Sequence, residues 1–209
     1  QVFLSNPSGV IFGPGARVDA HGLIATTLKI SDADFLAGQY HFHQDPDQPL
    51  AALINEGHIQ VSGYAGLLAP AVDNRGTIVA DLGSVAMASG TAATLDFTGD
   101  GLIQFAVTGE VDGTVVDAEG NEVPDRVGNS GLIQANGGRV ILTARDAGAV
   151  IRNVVNQTGV IEAQTVVDKE GRIFLSGGDR GVVRVSGTLE ASGKEAGETG
   201  GTVRVLGHK

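Results

Sequence analysis

A short phrase recurs along the chain: an Asn, a Gly two or three residues later, and a β-branched residue two positions after that Gly. Its clear copies lie at residues 55–59, 74–78, 129–133 and 156–161. Self-similarity of this kind is typical of solenoids, in which each unit buries its apolar face only by stacking on its neighbours. The spacing between copies is irregular, which favours a β-helix, whose turns tolerate insertions, over a closed sandwich.

Most copies are followed by a second apolar stretch with strand-like alternation. The clearest of these stretches are residues 63–69, 83–88, 138–143 and 201–206. Alternation with period two is typical of a half-buried strand. Pairing each phrase with the strand behind it predicts one coil of an all-β solenoid, with successive coils about 4.8 Å apart and their apolar residues stacked in interior columns.

The Asn residues of the phrase have a structural interpretation. Asn tolerates the left-handed region, and its amide can bond to the same amide one coil away. We therefore predict a turn ladder, rather than a binding surface, formed by Asn55, Asn74, Asn129 and Asn156.

Two segments interrupt the repeat. Residues 91–128 are expected to form an accessory hairpin, with its turn at 98–101, followed by an exposed loop over 108–129 that returns to the solenoid. Residues 39–49 are predicted to be an exposed loop, and residues 193–200 a polar turn. Because the chain opens on alternation like the middle of a strand, residues 1–209 are expected to be a single β-helix fragment of a longer chain.

Composition excludes several functions. The net charge is −10, and no Lys/Arg cluster is apparent in the sequence, which disfavours nucleic-acid binding. The chain has no Cys, so disulfides, thiolate catalysis and cysteine zinc sites are excluded. No apolar run reaches the roughly 20 residues of a membrane helix, and no cofactor is predicted.

Few residue patterns indicate chemistry. Asp96 and Asp100 lie near glycines as in calcium loops, but without the alternating ligands of such loops a hairpin turn is favoured. His41 and His43 would share one side of a strand, but they lack a third ligand, so no metal site is predicted. Acidic residues are scattered, so we predict no enzyme. The alternative is a β-helical carbohydrate-active enzyme or polysaccharide-binding module, which three or more charged side chains converging in one groove would favour.

One segment is more specific. Asn6, Pro7, Ser8 and Gly9 fit a type I turn and are followed by Val10 and Ile11. Together with residues 22–27, 32–38 and 95–102, this segment resembles the filamentous-haemagglutinin-type amino-terminal domain of two-partner secretion (TpsA) exoproteins. Residues 6–11 match the Asn-Pro-Asn-Gly-Ile motif of that family, with Ser8 in place of its second Asn.

The resemblance implies a right-handed parallel β-helix with an extra-helical β-hairpin. It also implies a secretion-targeting, fold-nucleating module of a large secreted adhesin or haemagglutinin. Such a chain crosses the periplasm and leaves a Gram-negative cell through an outer-membrane TpsB-type transporter, whose periplasmic POTRA domains recognise it. Its location would be extracellular or at the bacterial cell surface, with an unidentified receptor. The turn at 6–11 would nucleate folding near the recognition surface, or else be a structural turn without partner contacts.

Overall fold

The computed structural model describes residues 1–97, 103–147 and 153–207, and the described regular structure is β except for one short helix. In chain order the elements are β1 (Val2–Ser5), β2 (Val10–Phe12), β3 (Arg17–Thr26), α1 (Asp32–Leu36), β4 (Tyr40–His43), β5 (Ala52–Asn55), β6 (His58–Ala69), β7 (Ala71–Asn74), β8 (Thr77–Val79), β9 (Ser84–Ser89), β10 (Ala92–Phe97), β11 (Ile103–Gly109), β12 (Val127–Asn129), β13 (Leu132–Gln134), β14 (Arg139–Ala144), β15 (Asn153–Gln157), β16 (Val160–Glu162), β17 (Arg172–Ser176), β18 (Val182–Val185), β19 (Thr188–Glu190) and β20 (Thr202–Leu206).

The strands stack in parallel as three sheets, and each coil contributes one strand to each sheet. Sheet 1 contains β1, the second halves of β3 and β6, then β9, β14, β17 and β20. Sheet 2 contains β2, β5, β7, β12, β15 and β18. Sheet 3 contains the first halves of β3 and β6, then β8, β13, β16 and β19. Crossovers between parallel strands of one sheet are right-handed in almost all proteins, so the stacked coils form a right-handed parallel β-helix, as predicted.

The repeated phrase coincides with the corner between sheets 2 and 3. From β5 onwards, two residues separate the end of each sheet 2 strand from the following sheet 3 strand. The phrase Gly is the second of these two residues. A Cβ added to Gly76 would lie 2.2 Å from the carbonyl oxygen of Gly57, and one on Gly131 would lie 2.0 Å from that of Gly76. Glycine is required here because neighbouring coils approach too closely for any side chain.

The residue two after the corner glycine points into the coil. Parallel register stacks these residues in one column, in the order Ile59, Ile78, Ile133, Ile161 and Leu189. The four isoleucines are fully buried, and each contributes about 1.5–3 kcal/mol by leaving water. The predicted interior stacking of apolar residues is confirmed.

A three-stranded antiparallel sheet lies outside the coil. It contains β4, β10 and β11, and Phe42 and Leu95 help to cover the outer face of sheet 1. The extra-helical hairpin is therefore confirmed as β10 and β11, although its turn at 98–101 lies outside the described residues. The prediction of an exposed loop at 39–49 was wrong for residues 40–43, which form β4 and pair with β10.

The segment after β11 covers the outer face of sheet 2. Val111, Val115 and Val123 are buried against Ala52 and Ile54. The backbone N–H of Ala52 donates to the carbonyl of residue 116 over 2.8 Å. The expectation of an exposed loop over 108–129 was wrong for Val111, Val115 and Val123, which anchor the segment to sheet 2 although most residues between them are exposed.

A buried ion pair fixes the end of this segment. Arg126 donates through Nε to the carboxylate of Asp146, and its Nη2 donates to the carbonyl of Gly113 over 2.9 Å. Both charged side chains are about nine-tenths buried. The pair joins the covering segment to the corner after β14.

The expected polar turn at 193–200 is organised by one carboxylate. Glu198 accepts backbone N–H groups from Val167, Lys194 and Glu195. These hydrogen bonds lower the pKa of Glu198, and the bond from Glu195 has the largest effect. Glu198 thereby joins the loop between β19 and β20 to the loop between β16 and β17. Both loops connect sheet 3 to sheet 1.

Within the described ranges, no helix is long and apolar enough to cross a membrane.

Candidate functional site

The segment from Asn6 to Ile11 forms the corner between sheets 1 and 2 in the first coil. The N–H of Gly9 donates to the carbonyl of Asn6 over 3.1 Å, and the N–H of Ser8 donates to Asn6 Oδ1 over 3.2 Å. A backbone bond of 3.0 Å from Asn6 to Thr26 ties this turn to the next coil. Asn6 thus closes its own turn with both its side chain and its carbonyl, as is typical of Asn at the first turn position.

The two ends of this turn have different surroundings. Asn6 and Ser8 are exposed and Pro7 is half-buried, whereas Gly9 and Val10 are buried. Gly9 has φ +117°, a conformation that L side chains rarely adopt. The turn therefore has a fixed inner end and an accessible polar outer end.

The buried end of the turn depends on residues far along the chain. Val10 joins the interior core and pairs with Leu53 of β5. A Cβ built on Gly9 would touch the Cβ of Ala118, in the segment that covers sheet 2, at 3.6 Å. Ala118, more than a hundred positions away, therefore lies close to the turn, and no local motif could have indicated this proximity.

An aromatic cluster lies beside the turn on the first coil. The rings of Phe3 and Tyr40 stack with centroids 5.4 Å apart, and Phe35 meets Phe3 edge-on at 5.2 Å. Phe35 is 40% exposed, and the neighbouring Leu36 is 85% exposed. Sequence reasoning missed this apolar surface because the residues belong to three separate elements, of which α1 is only five residues long.

The predicted ladder brings three of its four residues together. Asn55 Nδ2 donates to Asn74 Oδ1 over 2.8 Å, and Asn74 Nδ2 donates to Asn129 Oδ1 over 2.7 Å. The fourth rung is Gln157, whose Oε1 accepts from Asn129 Nδ2 over 2.7 Å. All four side chains are buried. The ladder is thus a continuous directional chain of amide hydrogen bonds in the interior.

The placement of Asn156 in this ladder was wrong. Its phrase has one residue more between Asn and Gly than the other copies, while the corner itself keeps two residues before β16. Counting back from Gly159 therefore makes Gln157 the last residue of β15. Side chains alternate along a strand, so Asn156 faces the other way and donates to Asp125 Oδ2 over 2.7 Å. Counting two positions back from the glycine would have given the correct residue.

The two histidines considered as metal ligands lie on β4 rather than in a loop. His41 and His43 are exposed on the same side, and Phe42 between them is buried. Among the described residues no group of three His, Cys, Asp or Glu side chains is placed to hold a metal ion.

An ion pair fixes the segment that follows β4. The ammonium group of Lys29 contacts the carboxylate of Asp45, which is itself buried. The hydrogen bond from Lys29 is the largest of the effects that lower the pKa of Asp45. A backbone N–H from Asp47 adds to the effect at 3.1 Å.

Charged side chains converge on the outer face of sheet 1. Arg139, Arg172, Arg204 and Glu170 line one depression there, together with Ile141 and Phe174. Three or more charged side chains in one groove would favour the enzyme alternative, and this depression has four. Three of these four charged side chains are cationic, however, and Glu170 is the one carboxylate that lines the depression, whereas glycoside hydrolysis generally uses two. No catalytic role is therefore assigned.

Comparison with known proteins agrees with this architecture. A family model described as the TPS secretion domain matches residues 1–198. The heme/hemopexin-binding protein of Haemophilus influenzae is 31% identical over 186 residues, which are 86% of this chain and 19% of that protein. The crystal structure of the HMW1 secretion domain from the same species superposes with a TM-score of 0.57 at 22% identity, covering 100% of this chain and 76% of that one.

The parallel β-helix is thus a fold that this chain shares with a known secretion domain. The chain belongs to the TPS secretion domain family, since the family model matches nearly all of it. It is therefore the secretion-targeting module of an exported exoprotein that leaves the cell through a transporter partner. The chain spans about a fifth of the length of the curated relative that it matches.

Proposed function

We propose that the turn from Asn6 to Ile11 organises the first coil and presents the transporter's periplasmic POTRA domains with a surface to recognise. The observation that carries this proposal is the division of the turn into a buried inner end and an exposed outer end. Gly9 and Val10 are packed into the fold, whereas the side chains of Asn6 and Ser8 face solvent. A partner can therefore contact the outer end without disturbing the core.

The neighbouring aromatic cluster extends the same surface. Phe35 and Leu36 are exposed on α1, beside Phe3 of β1. Exposed apolar side chains next to polar ones are typical of protein-binding surfaces. Export would then deliver the protein to the extracellular space or the bacterial cell surface.

The stacked coils supply a driving force for export. Each emerging coil buries another interior column residue and adds backbone hydrogen bonds to the coil before it. The amide ladder extends from Asn55 to Gln157, so each rung provides the acceptor for the amide before it. The chain contains no Cys, so no disulfide blocks its passage as an unfolded polypeptide.

We infer that the parent exoprotein is a large adhesin or haemagglutinin. Support comes from the family and from the relative's length, of which this domain represents about a fifth. The name of that relative indicates binding of heme or hemopexin. Its activity would belong to regions beyond its secretion domain, so a heme ligand is not proposed for these coils.

The test measures export of the Asn6→Ala/Pro7→Ala variant by cells with and without the cognate transporter. We expect a strong loss of transporter-dependent export, while the urea midpoint of the purified domain changes little. Pro14→Ala, at an exposed proline in the next corner of the same coil, serves as the matched control and should be exported normally.

Two results would contradict this role. Unchanged export of the double variant would show that the transporter does not recognise the turn. Loss of export together with an equal loss of stability would make the turn purely structural. Gly9→Ala provides the comparison for the second case, because its positive φ makes destabilisation the expected result.

A further inference from the structure

A cationic groove lies on the outer face of sheet 1, on the coils beyond the extra-helical sheet. Arg139, Arg172 and Arg204 line it with Ile141 and Phe174, in a depression of about 450 Å³. Parallel register places Arg139 beside Arg172 on neighbouring strands, and Arg204 beside Phe174. Like charges side by side on adjacent strands repel each other, so this arrangement costs stability in the free domain.

Cationic side chains outnumber carboxylates in this groove, with three arginines to one glutamate. Among the described residues none of the three guanidinium groups forms an ion pair. Glu170 lies in the same groove, where it accepts a hydrogen bond from the Thr199 hydroxyl over 3.3 Å. The chain as a whole carries a net charge of −10. An acidic protein thus gathers an excess of cations at one place, and the complement of this surface is an anionic partner.

The groove begins where the extra-helical sheet ends. The edge strand β11 pairs with β10 alone among the described strands, and its seven residues include no charge and no proline. Ile141 on the groove floor and Val107 of β11 pack against the same apolar cluster. Arg145 donates to the Val107 carbonyl over 3.3 Å, so this acceptor of β11 is already occupied and an added strand would pair with the residues before Val107. An uncharged edge strand of this kind is a template for another strand.

These features together point to one kind of ligand. We propose that an extended acidic polypeptide segment pairs with the free edge of β11 and lies over β14 and β17. A strand added 4.8 Å from β11, about 10 Å above sheet 1, would occupy this position. Main-chain hydrogen bonds to β11 would provide affinity, and the groove would select the side chains.

The groove also specifies the order of those side chains. Arg139 and Ile141 are two residues apart on one strand, as are Arg172 and Phe174 on the next. Inward-facing residues of the added strand are likewise two apart. The favoured segment therefore alternates an acidic and an apolar residue among its inward positions. This surface is distinct from the amino-terminal turn and does not depend on the role proposed for it.

The test uses a fluorescently labelled peptide, Thr-Glu-Thr-Val-Thr-Glu-Thr-Val, titrated with the whole chain and followed by anisotropy. We expect saturable binding that weakens as salt is raised. Arg139→Glu/Arg172→Glu should weaken it about tenfold or more. Arg180→Glu/Arg184→Glu makes the same change of charge at exposed sites outside the groove and should leave binding nearly unchanged.

Further measurements separate strand pairing from simple charge attraction. A peptide with Lys in place of Glu, and one with Pro at a central Thr, should both fail to bind. Hydrogen exchange should slow at β11 when the acidic peptide is present, and Arg139→Lys/Arg172→Lys should retain most of the affinity. Because the lysine variant keeps the positive charge, its peptide affinity still tests the proposal if the charge-reversed variant does not fold.

Several outcomes would overturn the proposal. One is equal binding by the Pro-containing peptide. Another is an equal loss of affinity in both charge-reversal variants. A third is capture of an acidic oligosaccharide, tested as oligogalacturonate, with no binding of the peptide.

Discussion

Removing one rung of the amide ladder tests both its energy and its register. In Asn74→Ala, the Nδ2 group of Asn55 and the Oδ1 atom of Asn129 both lose their partners inside the core. An unsatisfied buried polar group costs about 1–3 kcal/mol. The two together predict a loss of about 2–6 kcal/mol in the free energy of unfolding, a large part of the 5–15 kcal/mol typical of a folded domain.

Two adjacent residues provide the matched comparison. Gln157→Ala removes a ladder rung, whereas Asn156→Ala removes a half-buried bond to Asp125. The second change should cost only about 1 kcal/mol. Urea unfolding followed by circular dichroism measures all three variants. The ladder argument fails if Asn74→Ala costs less than about 1 kcal/mol, or if Asn156→Ala costs as much as Gln157→Ala.

Three further changes test the corner, the buried ion pair and a carboxylate. Gly131→Ala places a Cβ 2.0 Å from a backbone oxygen and should lower the free energy of unfolding by about 3 kcal/mol or more. The control Gly13→Ala has open space around it and should change the free energy of unfolding in urea by less than about 0.5 kcal/mol. Arg126→Met removes the cationic partner of a buried carboxylate, so thermal unfolding should reveal a loss of about 3–5 kcal/mol, and a near-neutral result would contradict the pairing. The lowered pKa of Asp45 means that its bond to Lys29 stabilises the fold above the ordinary carboxyl pKa and stops doing so as pH falls through the folded value. Asp45→Asn should therefore be less stable than the natural chain at neutral pH and equal to it in strong acid, and a gap in urea midpoints that persists in acid would refute this.

The coil and its corner could be predicted from sequence because each rests on local constraints. Gly57, Gly76 and Gly131 recur where coils approach too closely for a side chain, and a β-branched residue follows each at a fixed distance. Both signals are visible without knowing which coils are neighbours. The six residues of the amino-terminal turn were equally apparent, since Asn, Pro and Gly at those positions favour one turn.

The covering segments could not be assigned in the same way. Residues 39–49 are rich in polar residues and residues 108–129 in charged residues and glycine. The few buried residues of these segments, such as Phe42 and Val115, follow no regular period. Whether such residues are buried depends on the sheet face they meet, and those faces are built from distant parts of the chain. The buried Arg126–Asp146 pair and the contact between Gly9 and Ala118 have the same origin.

By itself, the sequence determined that this chain stacks short parallel strands around glycine corners, because the recurring glycines and the period-two alternation are apparent without knowing which coils are neighbours. Only the tertiary structure decided which side chains meet across coils. It placed Gln157 rather than Asn156 in the ladder. Two residues separate β15 from β16, so Gln157 is the last residue of β15, and the side chain of Asn156 before it points to the other face of the strand. It also gathered Arg139, Arg172 and Arg204 into one groove, because parallel register brings together residues that are some thirty positions apart.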